Sequence, residues 1–446
     1  MKARLSEMKS ALRQPWLLSI LFAAAVPVFP EYICPVLAIA SLLAAHYDAR
    51  ARKSRFMIGP LGKLLLFVML YMAVGVLYSA TPFISFGTLM MWVITFVIYL
   101  AMVTVLTDRQ RFETALFCIC VVVGIVGALA CAQYILKAIL DIHVPLCFWD
   151  PIDQAVYRYF PISMEIGTSA DRACSTFTNP NILAEYLAMA IPFVVYYSFN
   201  GRSVSARILA RICLVAGVGG VAFSFSRGAY LALAIIALVL AVANYRKIML
   251  IVLSIGSAIL LIPDSVLGRL LSVGSMDASI SERFDIWKLC IESFTRHPIF
   301  GLGPGIQNSW DMLAAGGVDA PHAHNIILQL LVEGGLILLI LVALLLYRHF
   351  RNGLTLVRHS PETHRLGVIM LAFLASFLMD GMVEFPFMTP KLLCAFMMAL
   401  ALSDGALAVF AGEELPSVVR FLCIRRDAAS LARRSIALDP AALRQR

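Results

Sequence analysis

The sequence predicts an all-α polytopic membrane protein of about twelve transmembrane helices, with a long helical loop between the ninth and tenth. Three observations carry that expectation. Hydrophobic residues make up 61% of the chain and charged residues only 14%, whereas soluble domains carry roughly 25% charged residues. The apolar residues form unbroken runs. From Ile326 to Tyr347 only Glu333 is charged at neutral pH, and such a run is long enough to cross hydrocarbon as a helix. Finally, Lys and Arg collect in alternate connections between runs, the signature of a fixed orientation across a membrane. A large soluble core is excluded.

The runs fall at 15–29, 30–46, 59–80, 83–106, 112–138, 180–198, 207–224, 228–244, 246–262, 325–347, 365–387 and 390–411. The first two are short and form a hairpin turning at Pro30. The basic stretch Met1–Gln14 precedes the first run, and no small-residue cleavage site follows it. That pattern reads as an uncleaved first span. Seven alternate connections, from the N-terminus to 420–446, hold 26 of the 36 Lys and Arg residues. Both termini are therefore expected in the cytoplasm. The net charge of +9 is accordingly a topology signal and not a nucleic-acid surface. Residues 1–446 are read as one transmembrane domain, with periplasmic loops at 139–179 and 263–324 and a basic cytoplasmic tail at 412–446.

Loops as long as these two are usually functional. In the second, Ser279 and Glu282 form a capping-box pattern that opens a helix. Phe284, Trp287, Ile291 and Phe294 share one face of it, which suits a membrane–water interface. His297-Pro298 closes this helix, and Gly301, Gly303, Pro304 and Gly305 make a turn. The ten cysteines are scattered without a CxxC pair and lie mostly in apolar runs. Cys147 and Cys174 share one outer loop, where a disulfide is an option.

Four polar clusters map to the outer surface. They are Arg172 to Asn181, Ser224 to Gly228, Arg283 to Trp287, and Pro321-His322-Ala323-His324-Asn325. Arg227 departs from the positive-inside pattern, and its planar guanidinium suits phosphate oxygens. A snorkelling interfacial Arg is the alternative. Arg283 is either an anion contact or part of a solvated helix face, and Arg172 is a weaker candidate of the same kind. His324 opens a span, where a neutral imidazole can accept a hydroxyl proton; the alternative is a locally bonded structural residue. His322 and His324 would point about 200° apart on a helix, and no zinc framework exists elsewhere, so a metal site is not expected. Asn325, Gln329 and Glu333 give the tenth span a polar stripe, and Asp380 and Glu384 do the same in the eleventh. Ionisable groups in a span default to a functional or inward-facing reading, with an interhelical clamp as the alternative.

Taken in order, Ser226-Arg227-Gly228-Ala229-Tyr230, Arg283-Phe284-Asp285-Ile286-Trp287, Pro298 to Gly303, and His324-Asn325 with Gln329 and Glu333-Gly334 resemble the O-antigen ligase family. That superfamily also holds O-antigen polymerases and protein O-oligosaccharyltransferases. The resemblance covers about residues 170–400. It implies a cofactor-free, metal-independent glycosyltransferase of the bacterial inner membrane, with its site facing the periplasm. Its donor would be undecaprenyl-diphosphate-linked O-antigen and its acceptor a hydroxyl of lipid A-core oligosaccharide. It further implies that Arg227 and Arg283 hold the diphosphate, with Arg172 as a third contact, and that His324 is the base. His322, Asn325 and Asp380 are added as substrate contacts.

Within that family the ligase is favoured over the polymerase, which uses the same donor. The short C-terminal tail argues against a protein-glycosylating enzyme. A transporter or lipid flippase is the reading from another class, although its usual internal repeat and midplane site are not evident. A scaffold without activity is the last option.

Overall fold

The computed structural model describes residues 14–139, 172–243 and 278–418. The expected span at 246–262, most of the 139–179 loop, Cys147 of the candidate Cys147–Cys174 pair and the tail beyond 418 lie outside the described residues. Among the described residues, nine helices are long and apolar enough to cross a membrane, and two shorter apolar helices accompany them. They fall on eleven of the twelve predicted runs. The protein is an all-α polytopic membrane protein.

The helices are α1 (Pro15–Ala25), α2 (Cys34–Ala51), α3 (Pro60–Tyr78), α4 (Pro82–Val105), α5 (Arg109–Tyr134), α6 (Pro180–Asn200), α7 (Val204–Ser224), α8 (Arg227–Val242), α9 (Ala278–Arg296), α10 (Ile306–Ala315), α11 (Ile326–His359), α12 (Pro361–Gly381) and α13 (Pro390–Ala411). Proline at the first helical position recurs in α1, α3, α4, α6, α12 and α13, where its missing N–H costs nothing. Asp108, Asn179, Ser203, Asn325, Ser360 and Thr389 accept a backbone N–H at their helix starts. Helices α6 and α13 are the most enclosed and form the centre of the bundle, with α5, α7, α8 and α12 on one side and α3, α4 and α11 on the other.

At the bundle end away from the candidate site, Asp404 of α13 ties three helices together. Its Oδ2 accepts from Leu61 N at 3.1 Å and Tyr99 Oη at 2.6 Å, and its Oδ1 accepts from Asn352 Nδ2 at 3.0 Å. The carboxylate thus caps the start of α3, satisfying donors that would otherwise be orphaned in a buried place.

Helix α11 departs from the simple span expected at 325–347. It runs on to His359 and is broken at Gly335, where φ is 60° and ψ is −158°. The break is filled by the chain that follows α9. Leu302 N donates to Val332 O at 2.8 Å, Gly303 N to Glu333 O at 2.9 Å, and Leu336 N to Pro298 O at 2.9 Å. A Cβ on Gly301 would lie 2.6 Å from Gly334 N, and one on Gly335 would lie 2.4 Å from Ile299 C. Only glycine allows the two segments to approach so closely. Irregular backbone at membrane depth needs such internal partners. Tyr71 Oη on α3 supplies another, donating to Gly334 O at 2.7 Å.

Candidate active site at one end of the bundle

The segment 382–389 between α12 and α13 forms the floor of the site. The sequence placed these residues inside a span running to 387, but α12 stops at Gly381. Pro386 explains the difference, because it has no N–H to donate and disfavours helical geometry at Phe385. Glu384 is thereby released from the helix into the loop and becomes the hub of the site. Its Oε2 is 2.9 Å from His324 Nδ1. Its Oε1 accepts from Asn181 Nδ2 at 2.9 Å and lies 3.8 Å from Arg283 Nη2. Sequence reasoning counted Glu384 only as part of a polar stripe with Asp380.

His324 sits just before α11 with φ at 46°. Such left-handed backbone is uncommon away from glycine, although histidine is enriched there. Asn325 then caps α11, its Oδ1 accepting from Ile327 N at 3.0 Å and Leu328 N at 3.1 Å. Its amide Nδ2 donates to Met382 O at 3.3 Å, which fixes the histidine loop against the Glu384 loop.

The expectation that His322 and His324 diverge is corrected. They lie in a loop and not on a helix, and their ring centroids are 4.1 Å apart. His322 is buried, and its Nδ1 accepts the backbone N–H of His324 at 3.1 Å. Burial first, and then the charges of His324 and Arg283, push the His322 ring down to about 3. His322 is therefore neutral at ordinary pH. Among the described residues, His322, His324 and Glu384 are the one group of three with metal-ligand atoms close together, all within 4.8 Å. The hydrogen bonds argue against ligation by all three. With its Nδ1 lone pair taken by a backbone N–H, the neutral His322 ring carries its proton on Nε2 and offers no lone pair there.

Burial alone would raise the Glu384 carboxyl. The hydrogen bond with His324 and the charges of His324 and Arg283 instead hold it below the ordinary carboxylate range. A charged Glu384 accepts a hydrogen bond from His324 Nδ1–H, which leaves Nε2 as the basic nitrogen of that ring. His324 also keeps a quarter of its side chain exposed, whereas His322 is sealed.

The arginines arrive from three directions. Arg283 is in the first part of α9 and about one-third exposed. Arg172 donates through Nε to Ser224 O at 2.6 Å and through Nη2 to Asn181 Oδ1. Arg172 is thus linked through Asn181 to Glu384. Arg227 begins α8 and is exposed. The tight turn before it depends on Phe225, in left-handed backbone at φ 51°. Next to Arg227, a Cβ on Gly228 would lie 2.5 Å from Val383 Cγ2 and 3.7 Å from Asp380 Oδ1, which sets this turn beside the Glu384 loop. Asp380 itself is buried in α12, and its Oδ2 has no partner among the described residues. Of the residues named from sequence, Arg283, His324, His322, Asn325 and Arg172 thus connect to the 380–384 stretch directly or through one neighbour, and Arg227 precedes Gly228, which packs against Val383.

Helix α9 also differs in detail from its reading. It starts at Ala278, so Ser279 is inside the helix, and the side chain of Ser279 lies outside the described residues. The face predicted to be apolar includes Phe284 and Ile291, and both are exposed. A second face, with Ile286 and Cys290, is buried against Leu313, Ala323 and Val332. Trp287 lies between the two faces and donates through Nε1 to Ala323 O at 3.0 Å. In α11, the stripe residues Gln329 and Glu333 serve as a clamp. Gln329 Nε2 donates to Glu333 Oε1 at 2.7 Å and Ser309 Oγ at 2.6 Å, and its Oε1 accepts from Ala323 N at 2.8 Å.

Residues 212–343 match the family model described as O-Antigen ligase. The matched stretch runs from α7 into α11 and contains Arg227, Arg283, His322, His324 and Asn325. Arg172, Asp380 and Glu384 lie outside it. No curated protein matches the chain. The resemblance read from the motifs is borne out over the matched residues.

Proposed function

We propose that this protein is an O-antigen ligase of the bacterial inner membrane. It moves a glycan from undecaprenyl diphosphate to a hydroxyl of lipid A-core oligosaccharide at the periplasmic face. The observation that carries this reading is the Glu384 carboxylate, with His324 on one oxygen and Asn181 and Arg283 on the other. A basic nitrogen and a cation set that close to each other suit a reaction that must deprotonate a hydroxyl and release a diphosphate together.

In this reading Glu384 fixes the His324 ring and stabilises the imidazolium that forms. His324 Nε2 removes the proton from the acceptor hydroxyl as that oxygen bonds to the anomeric carbon. The bond from the anomeric carbon to the phosphate oxygen breaks, and the electron pair leaves with undecaprenyl diphosphate. Arg283, Arg227 and Arg172 stabilise the charge that gathers on the phosphates, an effect strengthened where water is scarce. Because the diphosphate is already a good leaving group, placing the reactants supplies much of the remaining acceleration. The periplasmic placement rests on the basic connections at the opposite end of the bundle.

The test is transfer by the purified protein supplied with lipid-linked glycan and lipid A-core. Glycan on lipid A-core, lost in His324→Ala, is the expected result. Glycan chains lengthened on undecaprenyl diphosphate would make the protein a polymerase. Full activity in His324→Ala would remove the proposed base.

A further inference from the structure

On the far side of Phe385 from His322 is a cavity of about 460 Å³ that the chemistry above does not use. That size is within the range of small-molecule sites, roughly 300–1,000 Å³. Its walls are Met72 of α3, Ile84, Met91 and Trp92 of α4, Leu338 of α11, and Phe385 and its neighbours in the loop after α12. Among the described residues, the one ionisable side chain on its wall, Glu333, is held by Gln329 Nε2 at 2.7 Å and by the backbone of Gly305. What the cavity offers a ligand is therefore almost wholly hydrocarbon.

Two relationships identify the ligand. First, the cavity is continuous with the outward surface of α4. Phe83 and Ile84 line it and are 87% and 43% exposed, and a Cβ on Gly87 would meet nothing within 4 Å. On a membrane-spanning helix that surface faces lipid, so a chain can enter sideways from the bilayer. Second, the cavity lies on one particular side of the site. Glu384 Oε1 faces Asn181, Arg172 beyond it, and Arg283, whereas Oε2 faces His324. Beyond His324 come His322 and then Phe385, with ring centroids 4.1 and 6.5 Å apart in turn, and Phe385 is a cavity wall. Contact by contact, the path runs from the arginines through Glu384, His324 and His322 to the cavity wall. The donor's diphosphate belongs with the arginines. A chain in the cavity is attached to the molecule approaching from the base's other side.

We propose that this cavity seats an acyl chain of the lipid acceptor, anchoring it so that its sugar hydroxyl reaches His324. The assignment rests on the proposed glycosyl transfer, and it gives donor and acceptor separate lateral routes into the site.

Gly87→Trp would fill the opening of the cavity from a position where added atoms meet no neighbour, and Gly87→Ala would leave it open. In the purified system, Gly87→Trp should raise the acceptor KM by roughly tenfold or more, with the donor KM unchanged and Gly87→Ala near wild type. A raised donor KM with an unchanged acceptor KM would overturn the assignment, as would no change in either. A second measurement does not depend on transfer. Trp92 fluorescence, taken as the difference between wild type and Trp92→Phe, should be quenched by lipid A-core carrying brominated acyl chains. Gly87→Phe, which fills the opening without adding a second indole there, should abolish that quenching. Quenching by brominated undecaprenyl diphosphate but not by the acceptor would refute the proposal. A wild-type protein without transfer activity would defeat the functional reading, and the quenching result would still judge the cavity.

Discussion

His324 Nδ1 lies 2.9 Å from Oε2 of Glu384, and this contact connects a loop before α11 to one after α12. In the proposed reaction it does two things. It selects the tautomer that leaves Nε2 basic, and it lowers the cost of the imidazolium formed as the hydroxyl is deprotonated. Glu384→Gln keeps the shape and removes the charge. Its kcat should fall by roughly 10²–10⁴-fold, with the donor KM altered far less. Glu384→Asp, shorter by one methylene, should recover part of the loss. Equal kcat for Glu384→Gln and wild type in the transfer assay would rule out this role.

The buried His322 makes the loop sensitive to acid. Its ring is held at about 3 in the folded protein, against an ordinary value of 6.5. Between those values the unfolded chain binds a proton that the folded chain refuses, so stability falls as pH falls through that window. Glu384, held below the ordinary carboxylate value of 4.5, acts in the same direction at lower pH. Its contribution is present above that value and is lost as pH falls through the folded one. His322→Gln should therefore unfold less steeply with acid between pH 6.5 and 5 in detergent melting experiments. An unchanged pH dependence would show that the ring is charged in the folded state.

Arg172 is held by two acceptors that lie apart, Ser224 O and Asn181 Oδ1. A lysine has a single ammonium and cannot reproduce that fork. Arg172→Lys should loosen the 172–181 segment and, through Asn181, the seating of Glu384. Donor KM and kcat should both worsen, by roughly tenfold for each charge-assisted hydrogen bond lost. Wild-type kinetics in Arg172→Lys would reduce Arg172 to a simple positive charge.

Much of the bundle was legible because hydropathy and basic loops are local signals. Run length and charge alternation placed α3 to α8 and α13 to within a few residues. The site was legible as a set of chemically apt residues but not as a geometry. Reading His322 and His324 as helical placed them on opposite faces, whereas the left-handed φ at His324 turns them together, and nothing at that position demands such a turn. Glu384 was hidden inside a hydropathy window although Pro386 marked the end of the helix. Its partners Asn181 and Arg283 lie 203 and about 100 residues away in sequence, beyond any periodicity argument. The double face of α9 was missed for a similar reason. Only the packing of Ile286 and Cys290 against the 306–333 segment decides which apolar stripe is buried.

The break in α11 gives the sharpest structural test. Gly335 combines φ 60° with ψ −158°, a region used almost solely by glycine, and strain there costs about 1–3 kcal/mol for other residues. Gly335→Ala would add a Cβ 2.4 Å from Ile299 C and 2.4 Å from Ile299 O. Those atoms belong to backbone and cannot rotate away, so the 298–303 segment would have to shift. That segment connects α9, which carries Arg283, to the part of α11 that begins beside His324. Gly335→Ala should therefore lower stability by at least about 1–3 kcal/mol and reduce kcat as well, because the arginine and the base lose their common frame. Leu336→Ala, on an exposed side chain next to it, should do neither. If Gly335→Ala melted and turned over like wild type, α11 would have to be continuous at this point, and the pairing of 298–303 with 332–336 would not be what positions the site.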